Sequence, residues 1–166
     1  ETYEITSLRL DVATDGRRAT VAYTHDWLAD LDRRDFTFNS MSLGFDGDLM
    51  DPHDGLRDLE AGMVRFVGVA QDRVREDALR ILRWFRFRAR FGMRLDNEAL
   101  EACCMHGRLL SYISVERIWS ELRQMLEGPQ ALEIMCDLQM TGVNAHCGLP
   151  AMMLPEHSGT PQRASH

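Results

Sequence analysis

The chain has 166 residues, of which 45% are hydrophobic and 27% charged, a composition typical of one folded domain or two small ones. No stretch approaches the roughly 18 consecutive apolar residues of a membrane span, so the sequence predicts no membrane-spanning helix. We expect no membrane partner. The formal net charge is −7, and none of the four cysteines forms a CxxC pair, so the sequence indicates neither a basic nucleic-acid module nor a disulfide scaffold.

Short elements dominate the first 69 residues. Alternating apolar and polar residues predict strands, and capped amphipathic segments predict short helices. The expected elements are strands at 3–12 and 20–23, a helix at 26–33, hairpin arms at 36–45 and 49–50, a helix at 55–61 and a strand at 63–69. Thr24 or Asp26 is expected to cap the first helix, and Asp46-Gly47 to turn the hairpin.

Longer helical patterns begin near residue 70. The predicted helices are 71–91, 97–110, 115–127 and 130–140, and Ser114 is the expected N-cap of the third. Strands followed by helices predict an α+β fold with domains at 1–69 and 70–150. The polar residues of the tail at 151–166 predict disorder.

All 19 basic residues are arginine, and their distribution is uneven. Eight arginines lie between Arg73 and Arg94, against only Glu76 and Asp77 in that stretch. The planar guanidinium suits paired hydrogen bonds to phosphates and base edges. A GC-rich genome is an alternative explanation for the missing lysine, but it does not explain the clustering.

Helical spacing places Asp77 and Arg80 side by side on the polar face of the predicted helix 71–91. The opposite, apolar stripe consists of Ala78, Leu82, Phe85 and Ala89. An arginine can donate to the ring acceptors of cytosine or adenine while an aspartate accepts from the amino group. Uracil and guanine reverse this pattern. Such a pair would accept C and A, although spacing alone also fits an ordinary surface ion pair.

Four motifs occur in a fixed order. Residues 32–39 contain RRDxTxN, 51–59 read DxxxGxxDL, 76–83 read EDxxRxxR and 114–121 read SxERIxxE. In this order and spacing they resemble the class II tRNA nucleotidyltransferases and bacterial poly(A) polymerases, over roughly residues 4–150. The resemblance implies the C-terminal part of a nucleotidyltransferase head, a mixed β-sheet with short helices, followed by an all-α neck.

The resemblance also implies roles for the motif residues, for each of which a solvated surface charge is the alternative. The nucleotide-binding residues would be Arg34, Asp35 and Asn39 at the ribose and triphosphate, Asp77 and Arg80 at the base, and Arg83 at phosphate. The residues that resemble the hinge between head and neck are Asp51, Gly55 and Asp58. The supporting residues around the base reader would be Glu76, Glu116, Arg117 and Glu121.

The implied activity is CCA addition, the transfer of CMP and AMP from CTP and ATP to the 3′ end of tRNA. Arg17 and Arg18 lie at 11–21 in a segment that resembles the mobile basic loop of CCA-adding members. Poly(A) polymerase activity is one alternative, and a catalytically dead RNA- or nucleotide-binding module is another. The expected location is cytoplasmic or mitochondrial, and the sequence indicates no oligomeric state.

The family's Gly-rich turn has no match in this sequence, and neither has its D-x-D pair, whose aspartates bind Mg²⁺. Asp46-Gly47-Asp48 has the spacing but reads as a hairpin turn. Glu4 resembles a further acidic residue of the catalytic strand. We therefore expect a fragment or decayed product that is inactive alone, with Mg²⁺ acting in the complete enzyme.

Overall fold

The computed structural model describes residues 5–14, 19–92 and 94–149, and the side chains of 11–14 and 19–21 lie outside that description. The elements in chain order are β1 (Arg9–Thr14), β2 (Ala19–Tyr23), α1 (Trp27–Asp32), a 3-10 turn (Thr37–Asn39), β3 (Ser42–Leu43), β4 (Leu49–Met50), α2 (Gly55–Glu60), α3 (Ala70–Glu76), α4 (Leu79–Phe91), α5 (Asn97–His106), a 3-10 segment (Gly107–Tyr112), α6 (Val115–Leu126), α7 (Ala131–Met140) and a last 3-10 segment (Val143–Cys147). Strands precede the long helices, as the α+β prediction requires. The predictions for Glu4, Arg17, Arg18 and the tail at 151–166 fall outside the described residues.

The strands of the described part form two antiparallel pairs, β1 with β2 and β3 with β4. The predicted strand at 3–12 is wrong in its bounds, because β1 begins only at Arg9. The predicted strand at 63–69 is also wrong. Its backbone instead makes isolated hydrogen bonds with residues 35–37: Thr37 N donates to Arg65 O at 3.0 Å, and Val67 N donates to Asp35 O at 3.0 Å. This segment lies along residues 35–37 without forming a ladder.

The short helices begin where the sequence predicts them. Asp26 is the N-cap of α1, and its side chain accepts a hydrogen bond from Ala29 N at 3.2 Å. The side chain of Asp51 accepts from Gly55 N at 2.7 Å and from Leu56 N at 2.9 Å, which satisfies the free amides at the start of α2.

The predicted single helix at 71–91 is wrong, because Asp77 interrupts it. Asp77 has extended backbone angles (φ −149°, ψ 106°) and ends α3. Its Oδ1 accepts from Leu79 N at 3.0 Å, so the same side chain starts α4. Aspartate favours this local hydrogen bond over continued helix. The predicted apolar stripe is nevertheless buried, from Ala78 at 7% exposed to Leu82, Phe85 and Ala89 at 0%.

The core lies around α4. Trp84 is fully buried, and its indole N–H donates to Val64 O at 2.8 Å, which ties the helix to the first half of the chain. Gly128 lets the link between α6 and α7 approach closely, since an added Cβ would lie 2.8 Å from Ala89 O. Buried Arg88 pairs with Asp137 of α7 at 2.8 Å.

The last helices agree with the prediction within a few residues. The segment expected to be helical at 97–110 ends as α-helix at His106 and continues as 3-10 helix to Tyr112. Ser114 occupies the predicted N-cap position of α6, but its side chain makes no capping bond. The start of α3 coincides with the expected domain boundary near residue 70, which stays a prediction. In the described ranges, no helix is long and apolar enough to span a bilayer.

Candidate functional site

A polar cavity of about 710 Å³ lies between the first half of the chain and the helices. Its walls come from the region of β1, the end of α1, the 3-10 turn after it, α4 and α6. The lining residues are Thr6, Arg9, Arg33, Arg34, Asp35, Asn39, Asp77, Leu79, Arg80, Arg83, Phe87 and Arg117. Every residue that the sequence assigned to the nucleotide is among them, together with the supporting Arg117.

The arginine pair at the end of α1 is held by one carboxylate. Asp30, which is 1% exposed, accepts from Arg9 N at 2.9 Å and forms ion pairs with Arg33 and Arg34. Burial raises the pKa of Asp30, but hydrogen bonds from Arg9, Arg33 and Arg34 outweigh it and lower the pKa to about 2. The carboxylate is therefore a fixed negative charge that orients both arginines.

Asp35 links the first half of the chain to α4. It is 8% exposed and accepts from Asn39 Nδ2 at 2.9 Å and from its neighbour Phe36 N at 3.0 Å. Its second oxygen accepts from Arg83 Nε at 2.6 Å. The ion pair fixes Arg83 against the predicted ribose-binding residues, so this wall of the cavity is preassembled.

Asp77 and Arg80 line the same cavity, but each pairs with other residues. Asp77 Oδ2 accepts from Arg117 at 2.9 Å, and Arg80 Nη1 donates to Glu76 at 2.6 Å. The i, i+3 surface ion pair, which was the alternative to base reading, is therefore not the arrangement, because the break at Asp77 turns its side chain towards α6. Glu76 and Arg117 contact Arg80 and Asp77 directly, and their supporting role stays a prediction.

Arg80 also binds two backbone carbonyls. Its Nη1 donates to Arg73 O at 3.1 Å, and its Nη2 donates to Arg33 O at 3.1 Å. With the bond to Glu76, three of the five guanidinium N–H groups have partners among the described residues. Within that part of the chain, the Nε–H and one Nη2–H remain for a ligand. The guanidinium is thereby fixed in direction and still keeps two donors.

Glu121 is the buried acid of α6. It is 6% exposed and accepts from Arg86 Nε at 2.6 Å, with Arg83 Nη1 at 3.8 Å. These contacts join α4 to α6, and the supporting role that the resemblance implied for Glu121 stays a prediction. Glu116 is exposed on the same helix, and its supporting role stays a prediction.

The three residues that resemble a hinge lie together at α2. Asp58 is buried and accepts from Thr37 Oγ1 at 2.8 Å, and it pairs with Arg65 at 3.2 Å. A Cβ on Gly55 would lie 2.2 Å from Thr37 O. With Asp51 at the start of the helix, these residues clamp α2 to the turn that carries Asn39. Their hinge function stays a prediction.

Sequence reasoning missed several residues of the cavity. Arg33 is the first arginine of the RRDxTxN motif, and its position next to Arg34 could have indicated that it lines the cavity. Phe87 lies on the arginine face of α4, and Arg83 is 5.6 Å from its ring centroid. Arg9 and Thr6 line the cavity because the region of β1 lies close to α1. No local sequence pattern predicts that contact between the two elements.

Magnesium does not fit the described residues. Within residues 5–14, 19–92 and 94–149, no three His, Cys, Asp or Glu side chains lie close enough to hold a metal ion. Asp46 and Asp48 are exposed, and Asp46 Oδ1 accepts from Asp48 N at 3.2 Å in the β3–β4 turn. This supports the hairpin interpretation of Asp46-Gly47-Asp48.

Two family models match the chain. Residues 1–65 match the poly A polymerase head domain, and residues 92–158 match the probable RNA and SrmB- binding site of polymerase A. The mouse protein named CCA tRNA nucleotidyltransferase 1, mitochondrial, is 49% identical over 154 residues, which are 91% of this chain and 36% of the mouse protein.

Solved structures agree. The Bacillus stearothermophilus CCA-adding enzyme in complex with CTP has a TM-score of 0.81 and 35% identity, over 92% of this chain and 36% of that one. The Thermotoga maritima CCA-adding enzyme complexed with tRNA has a TM-score of 0.66 and 28% identity, over 72% and 30%. The chain thus spans about a third of the length of these relatives. It belongs to the family of CCA-adding tRNA nucleotidyltransferases and poly(A) polymerases.

Proposed function

We propose that this chain binds and selects the nucleotide in a protein that adds CMP and AMP, from CTP and ATP, to the 3′ end of tRNA. The observation that carries the proposal is that the motif residues at 34–39 and at 77–83 line one cavity of about 710 Å³. The names of the mouse and bacterial relatives, and the CTP and tRNA in two solved structures, support it.

Charge favours a triphosphate in this cavity. Six of its lining residues are arginine and two are aspartate. Charge-assisted hydrogen bonds from guanidinium to phosphate are among the strongest available, and the planar fork can make two at once. Arg33 and Arg34 would bind the triphosphate, Asp35 and Asn39 the ribose, and Arg83 a phosphate next to Asp35.

The base would be read by Asp77 and Arg80. The two N–H groups of Arg80 that have no partner in the described part of the chain would donate to N3 and O2 of cytosine, or one of them to N1 of adenine. A carboxylate has about four acceptor sites, so Asp77 can accept from the base amino group while it binds Leu79 N and Arg117. Uracil and guanine would leave these groups unpaired, at about 1–3 kcal/mol each.

The remaining motif residues would keep the reader in place. Glu76, Glu116, Arg117 and Glu121 would support Arg80, Asp77 and Arg83, and Asp51, Gly55 and Asp58 would set the position of the 3-10 turn. Mg²⁺ would supply activation of the tRNA 3′-hydroxyl in the complete enzyme. The described residues of this chain take no part in that step in our proposal. The compartment would be cytoplasmic or mitochondrial.

Equilibrium binding tests the selective part of the proposal. The 166-residue chain should bind CTP and ATP more tightly than UTP and GTP in calorimetric titrations. Equal affinity for all four nucleotides would refute base selection by this chain. Incorporation into a tRNA that lacks its CCA end, with Mg²⁺ and each nucleotide in turn, tests the transfer step. Addition of C and then A by this chain would show that it holds its own metal carboxylates.

Poly(A) polymerase activity is the second candidate, because the matching head-domain model carries that name. The two activities differ in their use of CTP, which a poly(A) polymerase should largely ignore. The third candidate is a catalytically dead binding module. It would be indicated if the protein, expressed from its whole coding sequence, bound nucleotides selectively but transferred none to tRNA.

A further inference from the structure

One buried carboxylate contacts three residues of the cavity without lining it. Asp30 Oδ1 accepts from Arg9 N at 2.9 Å and from Arg33 Nε at 3.0 Å, and Oδ2 accepts from Arg34 Nε at 3.2 Å. The Nη2 groups of both arginines also donate to it, that of Arg34 at 2.8 Å. The side chain of Asp30 is 2% exposed, so a ligand in the cavity cannot reach it directly.

Each arginine presents the same edge to Asp30. The edge formed by Nε and Nη2 binds the carboxylate, and Arg33 Nε also donates to Arg9 O at 2.8 Å. The Nη1 group of each guanidinium lies on the other side, where that of Arg34 donates to Asn39 O at 3.4 Å. The side chains of Arg33 and Arg34 are still 21% and 41% exposed. Two guanidinium groups are thus held side by side with donors left for an anion.

We propose that Asp30 is a positioning residue for triphosphate binding, which acts by fixing Arg33 and Arg34 in the orientation that grips the phosphates. The inference rests on the proposed function and adds to it a residue outside the cavity lining. Preorganised arginines lose less side-chain entropy when they bind a phosphate, so the bound state is favoured.

A purely electrostatic role predicts the opposite sign. Asp30 neutralises part of the positive charge beside the cavity. If charge alone mattered, its removal would leave the cavity more positive and tighten CTP binding. If orientation matters, removal leaves each arginine with only its backbone partner in the described part of the chain, Arg9 O or Asn39 O, and weakens CTP binding. The two explanations therefore give affinity changes in opposite directions.

The experiment compares Asp30→Asn and Asp30→Glu with the unchanged 166-residue chain. Positioning predicts about tenfold weaker CTP binding or more in both variants, the equivalent of a lost charge-assisted hydrogen bond. Cytidine, which has no phosphates, should bind the variants as it binds the unchanged chain. CTP binding that is unchanged or tighter in Asp30→Asn overturns the proposal.

Asp137→Asn is the matched control. It also removes the partner of a buried arginine, Arg88, but it does not line the cavity. It should lower the unfolding temperature and leave CTP affinity unchanged. If the unchanged chain fails to distinguish CTP from UTP, the proposed function fails. If it distinguishes them and both Asp30 variants bind CTP normally, only the positioning role fails.

A measurement on the unchanged chain covers the case in which the variants do not fold. The Nε–H proton of Arg34, which donates to Asp30 Oδ2 at 3.2 Å, should be protected from solvent exchange in NMR spectra before CTP is added. Fast exchange of this proton in the free protein would show that Asp30 does not hold Arg34, and would overturn the proposal.

Discussion

At the scale of single residues, Arg80 is constrained by its contacts within the chain. Glu76 and the carbonyls of Arg73 and Arg33 bind three of its N–H groups, and the rigid fork then fixes the direction of the other two. A guanidinium group that rotated freely could turn its donors towards the edge of any base and would not distinguish between them. Discrimination between bases by Arg80 would therefore depend on these intramolecular bonds.

Arg80→Ala should abolish the preference for CTP over UTP, because both donors for the base acceptors are lost. CTP affinity should fall by about tenfold to a hundredfold, while that for UTP should change much less. Titration calorimetry with both nucleotides measures the ratio. Arg75→Ala, which removes an exposed arginine paired with Asp72, should keep it. An unchanged ratio in Arg80→Ala would remove the base-reading role.

Asp30 should also make stability depend on acid pH. Its pKa in the folded chain is lowered to about 2, below the unfolded value of about 3.9. Its contribution is therefore complete above about pH 5 and is lost as the pH falls towards 2. In urea unfolding, Asp30→Asn should be less stable than the unchanged chain by about 2 kcal/mol at pH 5. The gap should be roughly half as large at pH 3.

A matched substitution separates this effect from general acid sensitivity. Asp72 forms an exposed ion pair on α3, so Asp72→Asn should leave the pH profile of the unchanged chain intact. A gap between Asp30→Asn and the unchanged chain that stays constant from pH 5 to pH 3 would contradict the lowered pKa.

The sequence could predict the residues that line the cavity better than the residue that holds them in place. Arg34, Asp35 and Arg83 stand in recognisable motifs, and all three line the cavity. The pairing of Asp30 with Arg9 depends on how β1 meets α1, across 21 positions of sequence. Periodicity and motif spacing describe one element at a time, so contacts between elements are outside their reach.

At the scale of elements, the break between α3 and α4 decides how Asp77 and Arg80, the proposed base reader, are arranged. Apolar spacing predicted a single helix because the buried stripe runs through both sides of the break. Asp77 is itself the signal that was available, since aspartate is a common helix start and is unfavourable inside a helix. With the break, Asp77 faces Arg117 of α6, and two helices instead of one hold the pair.

Helix α2 gives a second test at this scale. Gly55→Ala would place a Cβ 2.2 Å from Thr37 O and 2.8 Å from Phe38 Cα. Both atoms are backbone, so α2 must move away from the turn that carries Asn39. We expect a loss of about 3 kcal/mol of stability, together with weaker CTP binding. Chemical denaturation and calorimetry measure the two effects.

Gly47→Ala is the control for Gly55→Ala. Gly47 has a φ of 92° in the hairpin turn and no atom within 4 Å of an added Cβ. Its substitution should cost about 1 kcal/mol through backbone strain alone and leave CTP binding unchanged. Equal effects of the two substitutions on CTP binding would argue against a role of α2 in shaping the cavity.

At the scale of the whole molecule, the cavity crosses the expected domain boundary near residue 70. Arg73 and Arg80 donate to the carbonyls of Asp32 and Arg33 at the end of α1. These bonds join the helical part to the first half of the chain at the edge of the cavity. The two donors, Arg73 and Arg80, lie in the segment 66–91, which falls between the two stretches that the family models match. Ligand binding and the association of the two parts should be linked.

CTP should therefore stabilise the whole chain in one transition. A ligand at about a hundred times its Kd adds about 2.7 kcal/mol to the free energy of unfolding. Differential scanning calorimetry should show a single peak that moves to higher temperature with CTP and hardly at all with UTP. Raising KCl to about 0.5 M should weaken CTP binding, since salt screens the arginines, and leave cytidine binding unchanged. Two separate peaks, of which CTP moves only one, would contradict the linkage.

The exclusive use of arginine has a consequence for how the site meets its ligand. Among the residues described at the cavity there is no lysine, histidine, cysteine or tyrosine, the side chains that change charge from neutral to alkaline conditions. Arginine is a side chain that proteins do not deprotonate. Any rise in affinity as the solution becomes less acidic would thus come from the nucleotide, whose terminal phosphate releases its last proton near neutrality. The ligand, and not the protein, would act as the sensor of proton concentration in this complex.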